Sequence, residues 1–298
     1  MTKVYKSISS VRKSYTNSPT TTTPFSLYID GFDAILGNGT AENALKSFLL
    51  TKKITNPIFY MGSLLSSSGN RTAMRSYNTA LNTAGIVKRS VNVTQATAVD
   101  TNDPASKASF NIGCSTAAEK FTNFRSEIEF YKSNPYVNSF AEFMTEANTI
   151  KAWTDANGVT YDCYYARAED VSGAMTPTEV ADYLVATFDT LCLVNYILPS
   201  KFATYGGFSP SIKTQFQLIA DAAKKAGKVQ KMDMIFAAQG NVVNGVPTNM
   251  RDFYVANPTL ISSYNTAKST FNAWTFTNKS SINFLSQTIY ARTGVYDL

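Results

Sequence analysis

Four carboxylates, in two pairs, are the residues best placed to do bond-breaking chemistry. Asp30 and Asp33 follow a short strand candidate at residues 25–29, and Glu169 and Asp170 follow an alternating segment ending near residue 166. Two carboxylates flanking a glycosidic bond hydrolyse it, one as acid and the other as base or nucleophile. Strand ends converge in an α/β barrel, so such pairs could meet there. Against that reading, acids after strands commonly cap helices, and a barrel needs eight strong strands where the sequence offers few.

A second set is cationic. Lys52, Lys53, Arg71, Arg75, Lys88 and Arg89 crowd one stretch, and Glu42 is the acid nearest to them. Arg71 and Arg75 are four apart and share a helix face. Tyr60 and Tyr77 lie between the cations, where aromatic rings can stack on the bases of a single strand. The first 99 residues carry 11 Lys and Arg against 3 acids, a net of +8 within a whole-chain +6. Such asymmetry suits an anionic partner, whose phosphates would be met without sequence readout. A solvated face complementing an acidic neighbour explains it equally well.

Other chemistries are closed off. The chain has no histidine, which removes the commonest general base and metal ligand. Cys114, Cys163 and Cys192 are widely spaced and read as buried small hydrophobes, so no metal site is expected. Gly31, Gly37 and Gly39 fit neither the dinucleotide fingerprint nor the P-loop, and no cofactor is expected. No secretory signal is read near Met1, and the most apolar window, residues 184–198, is too short to span a bilayer.

The elements that must position these residues read mainly as helices. Residues 176–239 hold two long amphipathic segments, the first opened by the capping box of Thr176, Pro177 and Glu179 and stopped at Pro199. The second carries Ile212, Phe216, Ile219 and Ala223 on one stripe. Further helices are expected near 41–53, 72–83, 116–132, 139–155 and 250–274, the last kinked at Pro258. Strands are expected at 25–29, 86–93, 159–167 and 282–290, while 57–65 is ambiguous. Residues 1–24 carry Lys3, Lys6, Arg12 and Lys13 with no acid and read as an extended arm.

These observations together predict an α-rich α+β fold. It comprises an arm at 1–24, a basic lobe at 25–100 and a larger helical lobe at 101–298. The function it suggests is a homopolymeric structural subunit of viral nucleocapsid or coat type, located in a virion or a cytoplasmic assembly. Its arm would pack on a second copy, and Lys52, Lys53, Arg71, Arg75, Lys88, Arg89, Tyr60 and Tyr77 would meet single-stranded nucleic acid, with no membrane partner. The rival readings are a carbohydrate-active α/β barrel using Asp30, Asp33, Glu169 or Asp170, and a ligand-free polymer.

Overall fold

Short strands followed by helices recur along the chain, and in space the strands close on themselves. The computed structural model describes residues 25–93, 104–127, 130, 140–168, 175–238, 242–243, 246–247 and 250–290. In chain order the elements are β1 (Phe25–Ile29), α1 (Gly39–Thr51), β2 (Asn56–Phe59), α2 (Ser68–Thr83), β3 (Ser90–Asn92), α3 (Pro104–Ile112) and β4 (Asn123–Ser126). They continue through α4 (Phe140–Asn157), β5 (Thr160–Cys163), α5 (Pro177–Thr187), β6 (Thr190–Val194), α6 (Pro199–Phe202), α7 (Ile212–Lys225) and β7 (Gln230–Ala237). A two-rung hairpin of β8 (Val242–Val243) and β9 (Val246–Pro247) precedes α8 (Arg251–Ala256), α9 (Ile261–Ala273) and β10 (Ile282–Tyr290).

The closed order is β1, β10, β7, β6, β5, β4, β3, β2, with every pairing parallel. Each crossover returns through at least one helix outside the ring, which is the (β/α)8 barrel arrangement. The expected helical, two-lobed fold is therefore corrected. β1 to β3 come from one side of the expected boundary near residue 100, β4 to β7 and β10 from the other, and all eight share one ring. Residues 1–24 lie outside the described residues.

The apolar core lies between the ring and its helices. Phe124 of β4 stacks on Trp153 of α4 with centroids 4.9 Å apart, and Tyr161 of β5 meets Phe188 at 4.7 Å. Phe284 of β10 packs against Phe216 of α7 and Phe271 of α9. Aromatic pairs of this kind add about 0.5–1.5 kcal/mol each beyond the area they bury.

The strand residues that alternate with these face inward, and many are polar. Ser26, Asn56, Ser90 and Asn123, one from each of β1 to β4, are buried and form a girdle that continues to the exposed Thr160 at the start of β5. The Asn56 amide donates to Ser26 Oγ at 2.9 Å, and that of Asn123 donates to Thr160 Oγ1 at 2.9 Å. Ser90 Oγ lies 2.7 Å from both Asn56 Oδ1 and Asn123 Oδ1; carrying one proton, it serves one of them at a time.

Three expected helical stretches contain strands. Residues 116–132 hold β4, and the segment after Thr176 breaks into α5 and then β6, while β7 follows α7. Strands buried on both faces lose their polar–apolar alternation and read as unbroken apolar runs. The capping box is present as expected. Thr176 Oγ1 accepts from Glu179 N–H at 3.3 Å, and Glu179 Oε2 accepts from Thr176 N–H at 2.7 Å.

These contacts hold the Glu179 carboxyl below its usual range, chiefly through the Thr176 backbone N–H. A lowered carboxylate stabilises the fold above its unfolded pKa and stops doing so as the pH falls through its folded one. Thr176→Ala is expected to lower stability by about 1 kcal/mol. Urea titrations of the variant and the wild type would check that loss, of which the part due to the Thr176 hydroxyl donating to Glu179 should fade as the medium is acidified.

Candidate active site at the barrel mouth

Inside the ring, above the girdle, sits a buried ion cluster. Arg125 of β4 has Nη2 at 3.6 Å from Asp162 Oδ2 of β5 and 3.6 Å from Asp233 Oδ2 of β7. Its Nη1 donates to Thr288 Oγ1 of β10 at 3.1 Å, and the Thr288 hydroxyl donates in turn to Asp233. Lys88 also reaches Asp162 Oδ2, at 3.3 Å. Burial by itself would lower the Arg125 pKa. The acidic groups around it, Cys192, Tyr28, Asp162 and Asp233, outweigh that and hold it well above its ordinary value. Burial pushes the Asp233 carboxyl up, opposed mainly by Arg125. Cys192, whose Sγ is 3.8 Å from Asp233, is a buried thiol raised by the same desolvation.

At the carboxyl ends of the strands the lining changes to tyrosines, an amide and one sunken carboxylate. Glu127 directly follows β4 and is 5% exposed, and the side-chain amide of Asn92, at the end of β3, donates to it. The Asn92 Oδ1 atom is buried without a hydrogen-bond partner. Tyr28 of β1 stands edge-on to Tyr164 at 5.7 Å and to Tyr290 at 5.1 Å. The Tyr164 and Tyr196 hydroxyls hydrogen-bond to each other. Tyr28 also lies 5.8 Å from the Arg125 guanidinium, so the ion cluster forms the floor of this mouth.

The barrel scatters the residues singled out in the sequence. Asp30 is half-buried just past β1. Asp33 is exposed and, with Gly31, Tyr60, Ser63 and Asn70, lines a cavity of about 500 Å³ beside the mouth. Glu169 and Asp170 lie outside the described residues.

The cations occupy separate places. Lys52 donates to the Pro258 carbonyl at 3.2 Å, and Lys53 is exposed with φ 57°. Arg71 donates to the Leu65 and Ser66 carbonyls, each at 2.8 Å, while Arg75 lies 5.8 Å from the Phe110 ring. Arg89 is buried, donating to Asn82 and to the carbonyls of Ile86, Val87, Ala117 and Lys120. Burial lowers its pKa. Tyr77 is buried between Phe32 and Phe59.

Sequence reasoning missed Glu127, Asn92, Tyr164 and Tyr196. The available signal was the period-two spacing of Asn123, Arg125 and Glu127, which a helical reading of 116–132 hid. Among the described residues no three His, Cys, Asp or Glu side chains are grouped to hold a metal ion, and no helix is long and apolar enough to cross a membrane.

The sequence matches no protein-family model and no curated protein. Solved structures do share the fold. A GH5_18 protein from Bifidobacterium longum subsp. longum superposes with a TM-score of 0.55 at 11% identity, over 91% of this chain and 70% of its own. The Group IV chitinase of Ostrinia furnacalis, solved with allosamidin, gives 0.52 at 10% identity, over 90% of this chain and 92% of its own. The class defined here is thus the parallel eight-stranded α/β barrel. The coat-protein expectation, with its virion, capsid and nucleic-acid-binding attributes, rested on a helical two-lobed subunit and is overturned by this fold.

Removing the positive partner of a buried pair leaves the acids uncompensated, and Arg125→Met is expected to cost about 3–5 kcal/mol at neutral pH. A carboxyl with a raised folded pKa favours the native state at low pH and loses that contribution as the pH rises through the folded value. The deficit should therefore narrow on acidification, as Asp233 takes up its proton. Denaturant titrations at neutral and mildly acidic pH would measure both effects.

Proposed function

We propose that the protein is a carbohydrate-active hydrolase that cleaves a glycosidic bond at the carboxyl-terminal mouth of its barrel. The observation that carries this reading is Glu127, a carboxylate sunk at the end of β4 and held by the Asn92 amide, at the face where tyrosines cluster. In barrels of this kind active sites are built at that face, from the ends of several strands. The shared fold of a GH5_18 protein and a chitinase agrees with such a use.

The roles divide by environment. Glu127, nearly buried at the end of β4 and fixed by the Asn92 amide, is assigned the role of protonating the leaving glycosidic oxygen. Asp30, half-buried at the end of β1, is the partner carboxylate that engages the opposite side of the sugar carbon or the attacking water. The C–O bond to the leaving sugar breaks as its oxygen takes the Glu127 proton. The oxygen of water completes the new bond. Where Asp30 has bonded to the sugar carbon, water displaces it and gives its proton to Glu127; where Asp30 activates the water, Asp30 takes that proton and Glu127 regains its own from solvent. The unpartnered Oδ1 of Asn92 offers an acceptor to a sugar hydroxyl or amide. The floor made by Arg125 keeps the mouth electrostatically fixed while charge develops above it.

The test is hydrolysis of linear oligosaccharides and aryl glycosides by the purified chain, followed by Glu127→Gln. Loss of the proton donor should reduce kcat by about 10²–10⁴-fold with an unchanged thermal midpoint. A wild type that cleaves none of these sugars would sink the reading. Glu129, two residues along, lies outside the described residues. Activity kept in Glu127→Gln but lost in Glu129→Gln would move the donor role to that position.

A further inference from the structure

Two features flank the mouth, and the closed strand order fixes how they relate. One is the cavity of about 500 Å³ formed after β1 and β2, lined by Asp33, Tyr60, Ser63, Ser66 and Asn70. Its polar groups and exposed Asp33 suit the hydroxyls of a sugar ring. The other is an apolar shelf after β6. Along the segment joining β6 to α7, Tyr196 is 46% exposed, Leu198 37% and Tyr205 42%. Three large side chains are thus presented to solvent within ten residues of one segment, the kind of apolar surface that a ligand's non-polar face can cover. The shelf is continuous with the mouth because the Tyr196 hydroxyl is bonded to that of Tyr164.

In the ring β1, β10, β7, β6, β5, β4, β3, β2, four steps separate β2 from β6 in either direction. The two strands therefore stand on opposite sides of the barrel. A line from the cavity to the shelf crosses the mouth, over Tyr28, Tyr164 and Glu127. A polar pocket at one end and a row of apolar faces at the other match a chain of pyranose rings, which carry hydroxyls at the rim and C–H groups on the face. Aromatic side chains hold such faces by stacking while the rim stays hydrogen-bonded.

We infer that the mouth is the middle of a transverse cleft that binds a linear pyranose oligosaccharide. One end of the sugar chain lies in the Asp33 cavity and the other on the Tyr196–Tyr205 shelf, so that cleavage is internal rather than terminal. This inference rests on the hydrolase reading above. A ligand reaching from one side of an eight-stranded barrel mouth to the other needs about four or more sugar units. Chito-oligosaccharides and cello-oligosaccharides share the required ring chemistry, and they differ in the 2-acetamido group that the Asn92 acceptor would meet.

The experiment measures kcat/KM for both series from the dimer to the hexamer, with the wild type, Asp33→Ala and Tyr205→Ala. Binding of the hexamers to Glu127→Gln is measured in parallel by calorimetry. The cleft predicts that wild-type kcat/KM rises about tenfold or more between the dimer and the longer sugars, as binding remote from the reacting bond is gained. It also predicts that each variant removes most of that rise, and that internal products appear first. Equal kcat/KM at all lengths, or a rise that both variants keep, overturns the cleft and leaves the hydrolase reading standing. If neither series is hydrolysed, the hydrolase reading fails, and calorimetry then decides the cleft. Hexamer binding to Glu127→Gln that is lost when Tyr205→Ala is added sustains the cleft, and no binding, or binding that the added substitution leaves intact, overturns it. A preference for one series assigns the sugar.

Discussion

Everything at the mouth rests on a guanidinium buried away from the protein surface. Arg125 is buried inside the ring, and two aspartates and a threonine from three other strands surround its two terminal nitrogens. Taking such charges out of solvent is unfavourable unless every partner stays in place. The cluster is therefore a geometric demand as much as an attraction. β4, β5, β7 and β10 must hold their relative heights in the barrel, or one of the buried charges loses its partner.

The chemistry above depends on that demand being met. Tyr28 lies over the guanidinium and packs edge-on against Tyr164 and Tyr290, so the position of Arg125 is passed to the rings that line the mouth. Glu127 sits two residues beyond Arg125 on the same side of the strand, and its height follows from the same strand register. A carboxylate in a site of this type has to be held in place before the substrate arrives, because reorienting it during the reaction would forfeit its advantage. The polar girdle beneath extends the same alignment to β1, β2 and β3.

Helices, turns and the terminal strands were legible in the sequence; the barrel was not. The capping box at Thr176, the stripe of Ile212, Phe216 and Ile219, and the break at Pro258 each carry a local signal, and each has its structural counterpart. β6 and β7 carry none that distinguishes them from helix, and in β4 the signal is confined to the short period-two run of Asn123 and Arg125. Leu191 to Val194 is apolar on both faces, as it must be between a filled interior and a helix layer. The cations misled for a related reason. Arg89 is as basic in composition as any surface residue, and only the fold reveals that backbone carbonyls surround it. Of the four carboxylates singled out, Asp30 and Asp33 lie at or beside the mouth. Glu127 was obscured because its neighbours, read as a helix, gave no reason to place it at a strand end.

The ring closes where the beginning and the end of the described chain meet. Phe25, Ser26 and Leu27 pair with Gln287, Thr288 and Ile289, so one side of β1 is hydrogen-bonded to a strand made about 260 residues later. At about 5–20 residues per second, the interval between making the two strands is some tens of seconds. Throughout it β1 keeps a bare row of backbone donors and acceptors on that side, beside buried-type residues such as Leu27 and Ile29. The nascent chain is thus an open, curling sheet with an unprotected border, and translation speed becomes a variable in how much of it closes. Slowing elongation late in the message lengthens that exposure, whereas a chaperone that covers a hydrophobic strand border early shortens it.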